Sequence, residues 1–197
     1  MLRALVERIA RPLRAWRNRL WARRARLGGR PEVAPSLPEP ILLGDAERGQ
    51  ALVDGIWRAL GQAVPVGKGS IWTAPIPDRR LEAERQACLW LDDLAALGNK
   101  PARLAAQGWV LDWLQRYGQG AGPGWEPELA GRRAKRWAVH AALLTEGLDR
   151  GGAERIWRGL ASHQRYLAPV PRPAPDSAGG WRGRARCARR RRGPAPR

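Results

Sequence analysis

Between residues 79 and 167, apolar side chains return every three or four positions in four successive runs, with short breaks between them. That period is the signature of a helix burying one face. Leu81, Cys88, Leu91, Leu94 and Ala95 mark a helix over about 79–97, which Gly98-Asn99 terminates. Pro101 opens the next helix, because its missing N–H falls in the first turn, where no intrahelical partner exists. That helix carries Leu104, Trp109, Val110, Trp113 and Leu114 to about Tyr117-Gly118. After the loop GQGAGPGW (118–125), Pro127 starts a helix that runs to about Leu148. DRGG (149–152) then turns the chain into a last helix, about Ala153–Leu167. An earlier helix is expected from the cap Asp45 to about Ala63, with Leu52, Val53, Ile56, Trp57 and Leu60 inward. Residues 64–78 are too rich in Pro and Gly for a helix and read as an extended loop, with Ile71 and Trp72 plugging into the core. Short connections favour antiparallel neighbours. The expected class is all-α, built from antiparallel helix hairpins.

Charge divides the chain differently from its helices. Residues 1–30 hold ten arginines and one acid, Glu7; residues 169–197 hold nine arginines and one acid, Asp176. The stretch between is nearly neutral, with 17 basic and 16 acidic residues. Four regions follow: an Arg-rich arm (1–29), a Pro-rich linker (30–40), a helical domain (41–168) and a tail (169–197). In the arm, Leu2, Leu5, Val6, Ile9, Leu13, Trp16, Leu20 and Leu27 recur at helical steps among arginines. Such a helix suits an anionic membrane surface, or it docks on the domain or hangs as a loose arm. The tail is mostly Pro, Arg, Ala and Gly; it buries too little to offset its chain entropy and reads as disordered. The same composition arises when GC-rich coding sequence is read out of frame, so a lost frame near Pro169 is a further expectation. Arg, Ala, Gly and Pro share GC-rich codons, which weakens any inference from net charge to nucleic acid.

Several chemistries are excluded or left unsupported. The two cysteines (Cys88 and Cys187) and two histidines show neither a CxxC nor the paired spacing of a zinc site, so no zinc set is expected. Nothing calls for a cofactor. Cys88 lies on an apolar face and reads as a buried thiol. No apolar run approaches the ~20 residues of a membrane span, and residues 1–27 lack the apolar region of a secretory signal. These features point to a cytoplasmic or membrane-peripheral location.

The helix from Pro127 carries the densest candidate chemistry. At ~100° per residue, Ala130, Ala134, Trp137, Ala141, Leu144 and Leu148 share a core face, while Arg132, Lys135 and Val139 point away. Leu129, Arg133, Arg136 and His140 fall on one edge between them. Guanidinium forks match carboxylate and sulfate oxygens, and a histidine beside two arginines resists protonation and can accept a proton. The edge therefore reads as the wall of an acidic-ligand groove. Equally, the arginines can cover apolar surface or pair with Glu residues, with His140 bonded to a carbonyl. Among the eleven tryptophans, Trp57, Trp113, Trp137 and Trp157 fall on apolar stripes; Trp72 and Trp125, in loops, are the freer candidates for stacking on a ligand.

Three stretches together resemble the N-terminal helical region of bacterial heparinase II/III-like proteins: GSIWTAPIPD (69–78), WLDDLAALG (90–98) and WVLDWLQRYGQGAGPGWEPELAGRRAKRWAVHAALL (109–144), with SHQRYLA (162–168) as the next piece. The resemblance implies the start of an α/α toroid, followed in the family by a β-sandwich. It implies eliminative cleavage of uronic-acid-containing polysaccharide, in which the proton α to the carboxylate is removed and charge on the resulting anion is stabilised. Arg133, Arg136, Trp137 and His140 are then candidate substrate-binding residues. Family members often have asparagine where Val139 stands. A chain of this length is expected to hold only the first hairpins of a toroid, to lack the catalytic residues and to be inactive alone. The other functional expectation is an Arg-rich module whose two ends bind nucleic acid or an anionic membrane surface.

Overall fold

The structure is a computed structural model describing residues 2–27 and 44–168, with only the backbone of residues 2–11. The linker 30–40, the tail 169–197 and the frame change expected there lie outside the described residues. Among those described, the protein is mostly helical: eight α-helices and one two-stranded sheet.

The first helix, α1 (Leu2–Ala25), packs against the last. Helix α2 (Ala46–Val53) begins at Asp45, whose carboxylate accepts from the amides of Glu47 and Arg48. It is shorter than its apolar period predicts. The chain turns at Gly55 (φ +94°) and forms an antiparallel hairpin, β1 (Ile56–Ala59) and β2 (Gln62–Pro65), with Trp57 opposite Val64. Both residues of its loop, Leu60 and Gly61, have positive φ (50° and 74°), as a tight twisted two-residue connection requires. Trp57, Ala59 and Val64 turn inward. Ile56 and Leu60, expected in a buried helical stripe, are instead exposed.

One helix expected over 79–97 is two. Helix α3 (Arg79–Gln86) is capped by Asp78, and α4 (Trp90–Leu97) ends at Gly98 in the left-handed conformation (φ 64°). Between them Cys88 has φ 57° and the helical ladder is interrupted. Helix α5 (Lys100–Tyr117) starts as expected with Pro101 in its first turn; Asn99, expected to belong to the preceding stop, is its cap and accepts from the Ala102 amide. It turns Trp109, Val110 and Trp113 inward, whereas Leu104 is exposed. A 3-10 turn (Pro123–Trp125) leads to α6 (Pro127–Val139). The helix expected to reach Leu148 bends at His140 and continues as the short α7 (Ala141–Thr145). Its last carbonyls are met by Gln107, whose Nε2 donates to Leu143 and Glu146 at 3.0 and 2.8 Å. Helix α8 (Arg150–Leu167) starts three residues before the expected Ala153, because Asp149 caps it through the Gly152 amide and the turn becomes its first turn.

The core is dominated by tryptophan. Trp57, Trp90, Trp113, Trp125 and Trp137 are fully buried, and Trp113 lies within 5.4 Å of Trp137 and 5.6 Å of Trp125. Large indoles fill space between short helices at low entropic cost, and edge-to-face pairs add to their burial. The loop before α3 is held by Arg85, which donates to the Ile71 and Ala74 carbonyls, both at 2.9 Å.

Candidate functional site

The interruption between α3 and α4 leaves interior carbonyls without helical donors, and α6 supplies donors to them. Arg133 Nη1 donates to Gln86 O at 2.8 Å, and Arg136 Nη1 to Ala87 O at 3.0 Å. Arg133 also donates from Nη2 to Gly124 O (3.0 Å) and from Nε to His163 Nε2 (2.8 Å), while its guanidinium lies 3.9 Å above the Trp113 ring. Each of these partners is neutral. Burial lowers the Arg133 pKa to about 10, so the side chain is still a cation at neutral pH.

His163 has a determined tautomer. Its Nδ1 lies 2.7 Å from the Gly159 carbonyl, which only accepts, so Nδ1 carries the proton and Nε2 receives Arg133. Its imidazole stacks on Trp125 with ring centres 5.0 Å apart. Burial, and then the neighbouring Arg133 charge, hold its pKa well below the usual histidine value.

A second knot surrounds Asp92. Its Oδ2 accepts from Arg136 Nε at 2.7 Å, and its Oδ1 lies 3.0 Å from His140 Nε2. The adjacent Asp93 faces α2, accepting from the Asp45 amide (2.9 Å) and from Arg48 Nη2 (2.9 Å). The two acids of WLDDL thus tie α4 to α6 on one side and to α2 on the other. Close approach of α2 is permitted by Gly49, where a Cβ would lie 2.3 Å from Asp93 O.

The four candidate substrate-binding residues, Arg133, Arg136, Trp137 and His140, therefore converge, but in the interior: none is more than 9% exposed. They form the inside of a helix junction rather than an open groove wall. Trp72 and Trp125, the two candidates for ligand stacking, are buried as well; their indole N–H groups donate at 2.7 Å to Trp109 O and Tyr117 O. On the outer side of α6, Arg132 pairs with Glu84. Asp92, Asp93, Gln86 and His163 were not identified as site residues from the sequence. The one available signal was the acid pair in a helix otherwise apolar at Leu91 and Leu94, and in a first turn it reads equally as charge placed against the helix dipole.

An open cleft of about 470 Å³ lies elsewhere, between the Gly67–Ser70 loop, the end of α2 and one face of α5. Lys68, Ser70, Leu104, Trp109 and Asp112 line it. Trp109 Nε1 donates to Gly69 O at 3.0 Å, fixing the loop. The Ser70 hydroxyl donates to Asp112, which also accepts from Arg116 Nε at 2.6 Å. No histidine lines the cleft, so Ser70 has no imidazole there to take its proton. The arrangement offers one ammonium and an ion-paired carboxylate beside apolar surface. Among the described residues, no three His, Cys, Asp or Glu side chains converge as a metal site needs, and no helix is long and apolar enough to cross a membrane.

Comparison with family models, with curated proteins and with solved structures gives no match. What the fold and site define on their own is a mostly helical, tryptophan-cored domain with a buried arginine–histidine junction.

Proposed function

We propose that residues 41–168 are the N-terminal helical region of a heparinase II/III-like polysaccharide lyase, the antiparallel hairpins that begin an α/α toroid. One observation carries this reading: the separate stretches that bear the resemblance are one another's partners. Trp72 of GSIW donates to Trp109 O of the long block. Asp92 of WLDDL receives Arg136 and faces His140 of that block. His163 of SHQRYLA receives Arg133, and the Tyr166 hydroxyl donates to Trp125 O at 2.5 Å. Each bond satisfies a buried polar group that would be costly to leave unpaired, so the motif stretches read as parts of one packed unit, which supports this reading.

On this reading the motif residues shape the body of the lyase, and the eliminative chemistry on uronic-acid-containing polysaccharide belongs to the whole enzyme. Both histidines are committed to interior partners, so no catalytic residue is assigned among the described residues. This chain alone is expected to give no unsaturated uronate absorbance from heparin or heparan sulfate, and robust turnover would contradict the assignment. The family itself is tested at the locus. DNA beyond codon 168 should encode, in some frame, further helices and a β-sandwich; finding neither in any frame would end the proposal.

A further inference from the structure

Among the described side chains of α1, those from residue 12 onward, the buried ones are small and the large apolar ones are exposed. Ala22 and Ala25 are buried, and Arg165 Nε of α8 donates to Ala25 O at 2.5 Å. The loop after α5 approaches the same side: a Cβ on Gly120 would meet Arg19 O at 2.9 Å. Leu13, Trp16 and Leu20 lie within about 60° of one another around the helix axis, and Ala22 lies on roughly the opposite side. Leu13 and Trp16 are each 61% exposed, and Leu20 is 37% exposed. Arg17 and Arg24 flank this stripe on one side and Arg19 and Arg23 on the other, all exposed. Residues 12–27 contain six arginines and no acid.

We infer that this outer face of α1 lies on an anionic lipid surface, with the Leu13–Trp16–Leu20 stripe in the headgroup–acyl boundary and the flanking arginines among lipid phosphates. An interfacial helix needs an apolar face, a cationic border and an indole at the boundary. A nucleic acid backbone would use the arginines but has no place for an exposed leucine–tryptophan stripe beside them. The basic tail cannot be the occupant, since its charge has the same sign.

The test is co-sedimentation of the full chain with phosphatidylcholine vesicles, with and without phosphatidylglycerol, beside a DNA-duplex binding assay. Wild-type protein should bind the anionic vesicles and not the neutral ones. The triple variant Leu13→Ser, Trp16→Ser, Leu20→Ser keeps every charge and removes only exposed side chains. Its vesicle partitioning should fall at least about tenfold, with an unchanged melting temperature and unchanged DNA affinity. Three results would each overturn the inference: vesicle binding by the triple variant equal to wild type, equal binding to neutral vesicles, or no vesicle binding by wild type.

Discussion

Arg133 donates its Nε proton to His163 Nε2 across 2.8 Å, and both side chains are fully buried. The bond requires a neutral imidazole, which gives stability a pH dependence. The folded pKa of His163 is depressed, so the unfolded chain takes up the proton first as pH falls. Stability is therefore complete above the unfolded value near ~6.5 and declines below it, by about 1.4 kcal/mol per pH unit. Urea unfolding between pH 8 and pH 5 measures this. His163→Gln can accept from Arg133 and donate to Gly159 without titrating, so its profile should be flatter; an identical slope would show that another group is responsible.

Asp92 is the shared partner of Arg136 and His140. Asp92→Ala should destabilise by about 3–5 kcal/mol, because it leaves a buried guanidinium without its counter-charge. Arg158→Ala, which removes an exposed pair with Glu154, should change stability by less than about 0.5 kcal/mol. Similar losses from the two substitutions in denaturant titration would mean that the Asp92 knot is not desolvated.

Alanine ordinarily stabilises a helix relative to glycine by about 1 kcal/mol. At Gly49 the sign should reverse, since the new methyl would collide with the Asp93 carbonyl. Gly49→Ala should lower stability by about 1–3 kcal/mol through overpacking. A higher melting temperature would place α2 farther from α4 than described.

The Cys88 thiol is fully buried, and burial pushes its pKa up to about 11. In a Cys187→Ser background it should resist a disulfide-exchange reagent at pH 8 until the protein is unfolded. Prompt reaction under native conditions would contradict the packing at the α3–α4 junction.

The elements legible in the sequence were those written in local chemistry. Asp45, Pro101 and Gly98 act as the cap, opener and stop expected of them, while Asn99, read as part of the stop, caps the next helix; the buried stripe of α5 from Trp109 onward follows its period. The misread elements are governed by distant groups. Leu52, Ile56, Trp57 and Leu60 satisfy a helical period, yet Gly55 and the Leu60-Gly61 loop make a hairpin whose inward side chains alternate. The interruption at Cys88 depends on Arg133 and Arg136 arriving from α6, 47 and 49 residues downstream of the carbonyls they serve. A helical projection grouped Arg133, Arg136 and His140 on one edge, but not Asp92 and His163, which turn that edge into interior.

The account rests on Arg133 and Arg136 of α6 being internal struts rather than ligand-binding groups. Their Nε–H resonances in a 15N-labelled sample report this directly when a heparin-derived tetrasaccharide is titrated in. Arg133 and Arg136 should show slowly exchanging Nε–H signals that do not move with saccharide. Rapid exchange together with saccharide-dependent shifts at these two positions would contradict the buried junction and return them to a groove wall.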